Sequence, residues 1–167
     1  CWKRYSSADA LLAGRRPNAL VDNELWATYI IEVEPIGTDS MKIIWEWNLW
    51  DHLVQDFDST KNNFGIIENH PELLNINDYN GNGKKDWMHC NSIDYNESLQ
   101  QIVIGSRSMS EFYIIDHSTT TTQASSSSGG IYGRGGDFLY RWGNPQVYNK
   151  GNSSNRRLFG FLTLVLY

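Results

Sequence analysis

Residues 88–117 read MHCNSIDYNESLQQIVIGSRSMSEFYIIDH. Three runs rich in β-branched and aromatic residues, 88–94, 101–107 and 111–117, are separated by the short polar turns Asn96-Glu97-Ser98 and Ser108-Met109-Ser110. Turns this short join antiparallel neighbours, so the three strands are expected to pair in sequence order. Residues 138–142 supply a fourth candidate strand. An up-and-down four-stranded sheet in sequence order is the unit from which a β-propeller is built.

Working outward, residues 26–36 (WATYIIEVEPI) and 41–49 (MKIIWEWNL) show the same composition with period-two stretches around the turn Gly37-Thr38-Asp39-Ser40, and predict a hairpin. A weak internal repeat supports this. Tyr29-Ile30-Ile31-Glu32 followed by Trp45-Glu46-Trp47-Asn48 resembles Tyr113-Ile114-Ile115-Asp116 followed by Tyr140-Arg141-Trp142, each reading as a third strand, a connection and an outer strand. Between the two units lies a polar connection, 51–85, in which Leu53, Val54 and Phe57 at helical spacing predict a short helical turn over 51–57. Residues 118–136, with four successive Thr and four successive Ser, carry little apolar surface and are expected to form a long mobile loop. Residues 1–23, basic and broken at Arg15-Arg16-Pro17, read as a lead-in loop. The expected organisation is a lead-in over 1–25, part of an all-β propeller over 26–160 with four-stranded antiparallel blades and long loop insertions, and an apolar tail over 161–167. Both ends read as cut.

A formal charge of −5 makes a nucleic-acid partner a poor expectation, and the sequence contains neither a stretch of about 20 apolar residues nor a signal peptide ahead of Cys1. Cys1 and Cys90 permit one disulfide, although a strand position suits Cys90 at least as well as a buried free thiol.

The chemistry lies at the start of the decisive stretch. Strand alternation puts His89 and Asn91 on one face, and an antiparallel neighbour brings Arg107 to the same level. Imidazole, carboxamide and guanidinium together suit a tetrahedral oxyanion such as sulfate or phosphate, with Arg offering a forked donor pair. The plainer reading is a histidine satisfied within the core and an arginine in a surface pair. Just upstream, Asp78, Asn80, Asn82 and Asp86 occupy positions one, three, five and nine of a calcium loop with Gly83 at six; position twelve is His89, not an acid. A weak calcium site and a glycine-rich turn are both consistent with that pattern.

Trp45-Glu46-Trp47, Trp50-Asp51-His52-Leu53, Asp86-Trp87-Met88-His89-Cys90-Asn91-Ser92-Ile93, Ser106-Arg107 and Tyr113-Ile114-Ile115-Asp116-His117-Ser118-Thr119 together resemble the bacterial arylsulfotransferase family, from about Trp26 to about Gly160. The most specific part is the His-x-Asn-Ser-Ile strand with an arginine eighteen residues beyond the histidine. The resemblance implies part of a six-bladed propeller, about two to three blades. It also implies sulfuryl transfer from a phenolic sulfate ester to a phenol through a sulfated histidine, without a nucleotide donor or required cofactor. His89, Asn91 and Arg107 would hold the sulfuryl oxygens. A periplasmic location and a homodimer in the full-length protein follow by the same implication. Two features depart from the family. The nucleophilic histidine is expected shortly after Gly160, where Phe161-Leu162-Thr163-Leu164 stands, and another active-site histidine is expected ahead of Trp26, where there is none. A non-catalytic propeller module binding calcium or another ligand is therefore the alternative. His52 corresponds to a family position without an assigned role and is kept as a further candidate beside a structural reading; His117 and His70 are expected at or near solvent.

Overall fold

The computed structural model describes residues 1–77 and 83–160. Three sheets are present among them, together with two short helices. The first is antiparallel in the order β1 (Trp2–Ser6), β2 (Glu24–Ile36), β3 (Ser40–Asn48). A small parallel pair follows, β4 (Leu53–Val54) with β5 (Leu74–Asn75). The third is four-stranded and antiparallel in sequence order: β6 (Cys90–Asn96), β7 (Gln101–Ser106), β8 (Glu111–Asp116) and β9 (Tyr140–Trp142). The protein is thus mostly β, and no closed sheet occurs among the described residues.

The β2–β3 hairpin and the four-strand order agree with the sequence reading. Both halves of the internal repeat lie on antiparallel pairs, but two residues out of register: Ile30 pairs with Trp47, whereas Ile114 pairs with Tyr140, the counterpart of Trp45. The core lies between these sheets. Trp45, Trp47 and Ala27 from the first meet Ile102, Ile104, Tyr113 and Ile115 from the third, with Trp87, Leu74, Ile76 and Phe138 filling between them. Each large side chain enclosed this way contributes about 1.5–3 kcal/mol of transfer free energy. At the β8–β9 junction Arg141 and Glu111 form a buried pair at 2.5 Å, and burial pushes the Glu111 carboxyl up while the guanidinium opposes it.

Three expectations are corrected. The lead-in is structured over much of its length: β1 pairs with β2 from Trp2↔Thr28 to Ser6↔Glu24, and Ser6 and Asp9 form a capping box that starts α1 (Ser7–Leu12). Arg15, which sequence placed in a breaker, is 1% exposed, stacks over Trp87 at 5.1 Å and donates to the carbonyls of Ala19 and Ile76. The helical turn expected over 51–57 is instead a 3-10 turn at Leu49–Asp51 followed by β4, because the Leu53 and Val54 side chains enter the core beside Leu74. Residues 118–136 are not a featureless loop. Thr120 caps α2 (Thr121–Ala124) in a box with Gln123, Ala124 is fully buried, and the Gly136 carbonyl accepts from Trp47 Nε1 at 2.7 Å. Side-chain-to-backbone bonds supply what apolar surface does not. No helix among the described residues is long and apolar enough to cross a membrane.

Candidate functional site

The chain enters β6 through two anchors. Trp87 is fully buried and donates Nε1 to the Trp26 carbonyl at 3.0 Å; Met88 is 1% exposed and its carbonyl accepts from Ser106 Oγ at 2.5 Å and from the Ser108 amide at 3.2 Å. The next residue, His89, adopts a left-handed backbone with φ 47°, unusual for a residue with a Cβ. Cys90 then begins the strand, and the β6–β7 register shifts between Cys90 and Ser92. That bulge leaves Asn91 outside the ladder. Simple alternation therefore does not govern these positions, yet His89 and Asn91 are both exposed while Cys90 and Ser92 are half-buried.

Arg107 follows the end of β7. Its amide donates to the His89 carbonyl at 3.2 Å, so the backbone sets the two residues directly across from one another, and its side chain is exposed. The structure thus places His89, Asn91 and Arg107 at one end of the β6–β7 pair. His89 Nδ1 lies 2.6 Å from Asp86 Oδ2, with both side chains a little under half exposed.

Beside His89 is a small cleft of about 70 Å³ walled by Trp2, Trp26, Thr28, Asp86 and Cys90, and next to it a second of about 250 Å³ reaching Asn91, Ser92 and Ile104. Thr28 and Cys90 line both. Trp2 and Trp26 stack with centroids 4.9 Å apart and planes 3° from parallel, leaving an aromatic surface at the mouth. Arg4 and Lys85 lie over the Trp26 ring at 5.5 and 4.8 Å; Lys85 is also paired with Glu24 at 2.9 Å, and Asp86 adds a carboxylate to the cleft wall. The stacked indoles offer a flat aryl group a matching surface. The Ser92 hydroxyl is buried with no hydrogen-bond partner among the described residues.

The cysteines are free thiols in this structure. Although Cys90 as a residue is only half-buried, desolvation of its sulfur pushes the thiol up to about 11, partly offset by Thr28 Oγ1 at 3.1 Å.

The other histidines lie elsewhere. His52 is fully buried, stacks on Trp47 at 5.5 Å, and places Nδ1 2.7 Å from Asp137 and Nε2 2.8 Å from the Ala124 carbonyl. With acceptors on both ring nitrogens it ties α2 and residue 137 to β3, away from His89. His117 is wedged edge-on between Trp45 and Tyr95 and bonds Glu32 at 3.0 Å, in a cleft of about 350 Å³ at the other end of β6. His70 pairs with Glu72 at 2.9 Å. Of the calcium-loop residues, Asp78, Asn80 and Asn82 lie outside the described residues; Asp86 is engaged with His89. Among the described residues no group of three His, Cys, Asp or Glu side chains is arranged to hold a metal ion. The Asp86–His89 bond was missed by the sequence reading, though the Asp-x-x-His spacing carries the signal; the Trp2–Trp26 wall was not legible because β1 was read as loop.

A family model described as arylsulfotransferase (ASST) matches residues 23–128, a span that includes Asp86, His89, Asn91 and Arg107. No curated protein and no solved structure matches the chain.

Proposed function

The chain belongs to the arylsulfotransferase family, and on that premise we propose that the cleft beside His89 binds the sulfuryl group of an aryl sulfate, with His89, Asn91 and Arg107 holding its oxygens. The observation that carries the reading is the main-chain bond from Arg107 to His89 at 3.2 Å, which sets the two residues opposite one another at the end of one strand pair. Arg107 offers the forked donors that match a tetrahedral anion, and the Trp2–Trp26 stack offers a surface for the aryl ring.

The reaction supported by this placement is a two-step transfer. A histidine nitrogen attacks sulfur, the S–O bond of the ester breaks, and the phenolate leaves with the electron pair; a second phenol then takes the sulfuryl group and returns its proton. Donors at the sulfuryl oxygens offset the charge that builds as the leaving group departs. His89 holds the group, and the nucleophilic histidine belongs to a neighbouring blade. The β6–β9 sheet is proposed as one blade of a six-bladed propeller, supported by its antiparallel order. A periplasmic setting and a homodimer of the full-length protein go with the same proposal.

Titration of this chain with 4-nitrophenyl sulfate, read by tryptophan fluorescence, tests the site. Saturable binding that is lost in His89→Ala and in Arg107→Ala is expected, with little or no nitrophenol released. Binding indifferent to both substitutions would sink the reading. Clear transfer to a phenol by this chain alone would instead move the nucleophile onto one of its own histidines.

A further inference from the structure

We propose that Asp86 is a positioning residue that fixes the tautomer and orientation of His89, an inference that rests on the sulfuryl-holding reading of that histidine. The His89 backbone is already fixed. Its carbonyl is bound by the Arg107 amide at 3.2 Å, and the preceding carbonyl, Met88, is bound by Ser106 Oγ and the Ser108 amide. What remains free is rotation of a side chain that is 44% exposed.

Asp86 Oδ2, 2.6 Å from Nδ1, removes that freedom. An ionised carboxylate only accepts, so the proton lies on Nδ1, and Nε2 becomes the nitrogen that can address a ligand in the adjoining cleft. The two intervening residues make the arrangement stiff. Trp87 and Met88 are 0% and 1% exposed, and both are anchored in the core, so the four-residue span from Asp86 to His89 is set by the interior and not by the loop. A left-handed φ at His89 turns the ring back over that span. A half-exposed pair of this kind adds little to stability, so its consequence is geometric.

The test reads the tautomer first, without ligand, from two-bond nitrogen–proton NMR correlations of the His89 ring in this chain. Wild type is expected to hold the Nδ1–H form. Asp86→Ala is expected to revert to the Nε2–H form that free imidazole side chains prefer, and to bind 4-nitrophenyl sulfate about five- to tenfold more weakly. Asp86→Asn, whose carbonyl oxygen still accepts, is expected to keep the Nδ1–H form and most of the affinity. Unchanged backbone amide spectra outside residues 85–91 separate the effect from misfolding. An Nε2–H tautomer in wild type, or no change of tautomer in Asp86→Ala, overturns the proposal. Aryl sulfate binding that survives His89→Ala overturns the functional reading and leaves the tautomer result to decide Asp86 by itself.

Discussion

The Arg107 amide donates to the carbonyl of His89 at 3.2 Å, so residues eighteen positions apart in sequence face one another through main chain alone. Side-chain substitutions at either position leave that bond in place. Arg107→Ala is therefore expected to lower affinity for an aryl sulfate about tenfold while leaving the thermal midpoint within about 1–2 °C of wild type. Arg107→Lys keeps the charge and loses the fork, and should recover only part of the affinity. Isothermal titration beside a melting curve measures both; a large fall in midpoint without loss of affinity would show that Arg107 is structural.

His52 and Asp137 form a buried pair at 2.7 Å, with the ring stacked on Trp47. Removing either partner leaves the other buried without its mate, so His52→Ala and Asp137→Ala should each cost about 2–3 kcal/mol in denaturant unfolding. The double variant should cost less than the sum, by a coupling of about 0.5–3 kcal/mol. Additive losses would mean that the two act separately.

Gly136→Ala places a Cβ 2.0 Å from the Ala124 carbonyl oxygen and 2.6 Å from His52 Nε2. Backbone and a pinned ring cannot give way cheaply, so this small change is expected to destabilise by more than about 2 kcal/mol. A neutral outcome would mean that residues 118–136 lack the fixed path described above. Gly133→Ala, which meets nothing within 4 Å but carries φ 73°, should cost about 1 kcal/mol, from backbone conformation alone.

Cys90 titrates at about 11 in the folded chain against an ordinary value near 9, so folding favours its protonated form. The resulting stabilisation is present in full below an ordinary thiol value and is lost as pH rises from about 9 through about 11. Unfolding midpoints measured across that window should fall more steeply in wild type than in Cys90→Ala. At about pH 8, iodoacetamide should modify the exposed Cys1 well before Cys90. Equal rates would show that the Cys90 sulfur is open to water.

The strand order of residues 88–142 was legible because its turns are short and its apolar residues β-branched. The lead-in was not, because five residues of mixed polarity become a strand only where β2 offers an edge. Its helix start was in principle readable from Ser6 and Asp9. At the site, His89 and Arg107 were paired correctly by antiparallel logic, whereas period-two counting through His89 and Asn91 fails at a left-handed residue followed by a bulge. The partnership of Asp86 was hidden by a second pattern laid over the same residue, that of a calcium loop.

Within 118–136, four successive Thr at 119–122 and four successive Ser at 125–128 give neighbouring positions the same side chain, so composition alone does not fix which of them takes which place. Here the count matters, because Thr120 must cap the helix, Ala124 must reach the core, and the Gly136 carbonyl must meet Trp47. A gain or loss of one residue in the Ser run would change the chain length between Ala124 and Gly136, both of which are pinned, so a segment of the simplest composition is held to a fixed length.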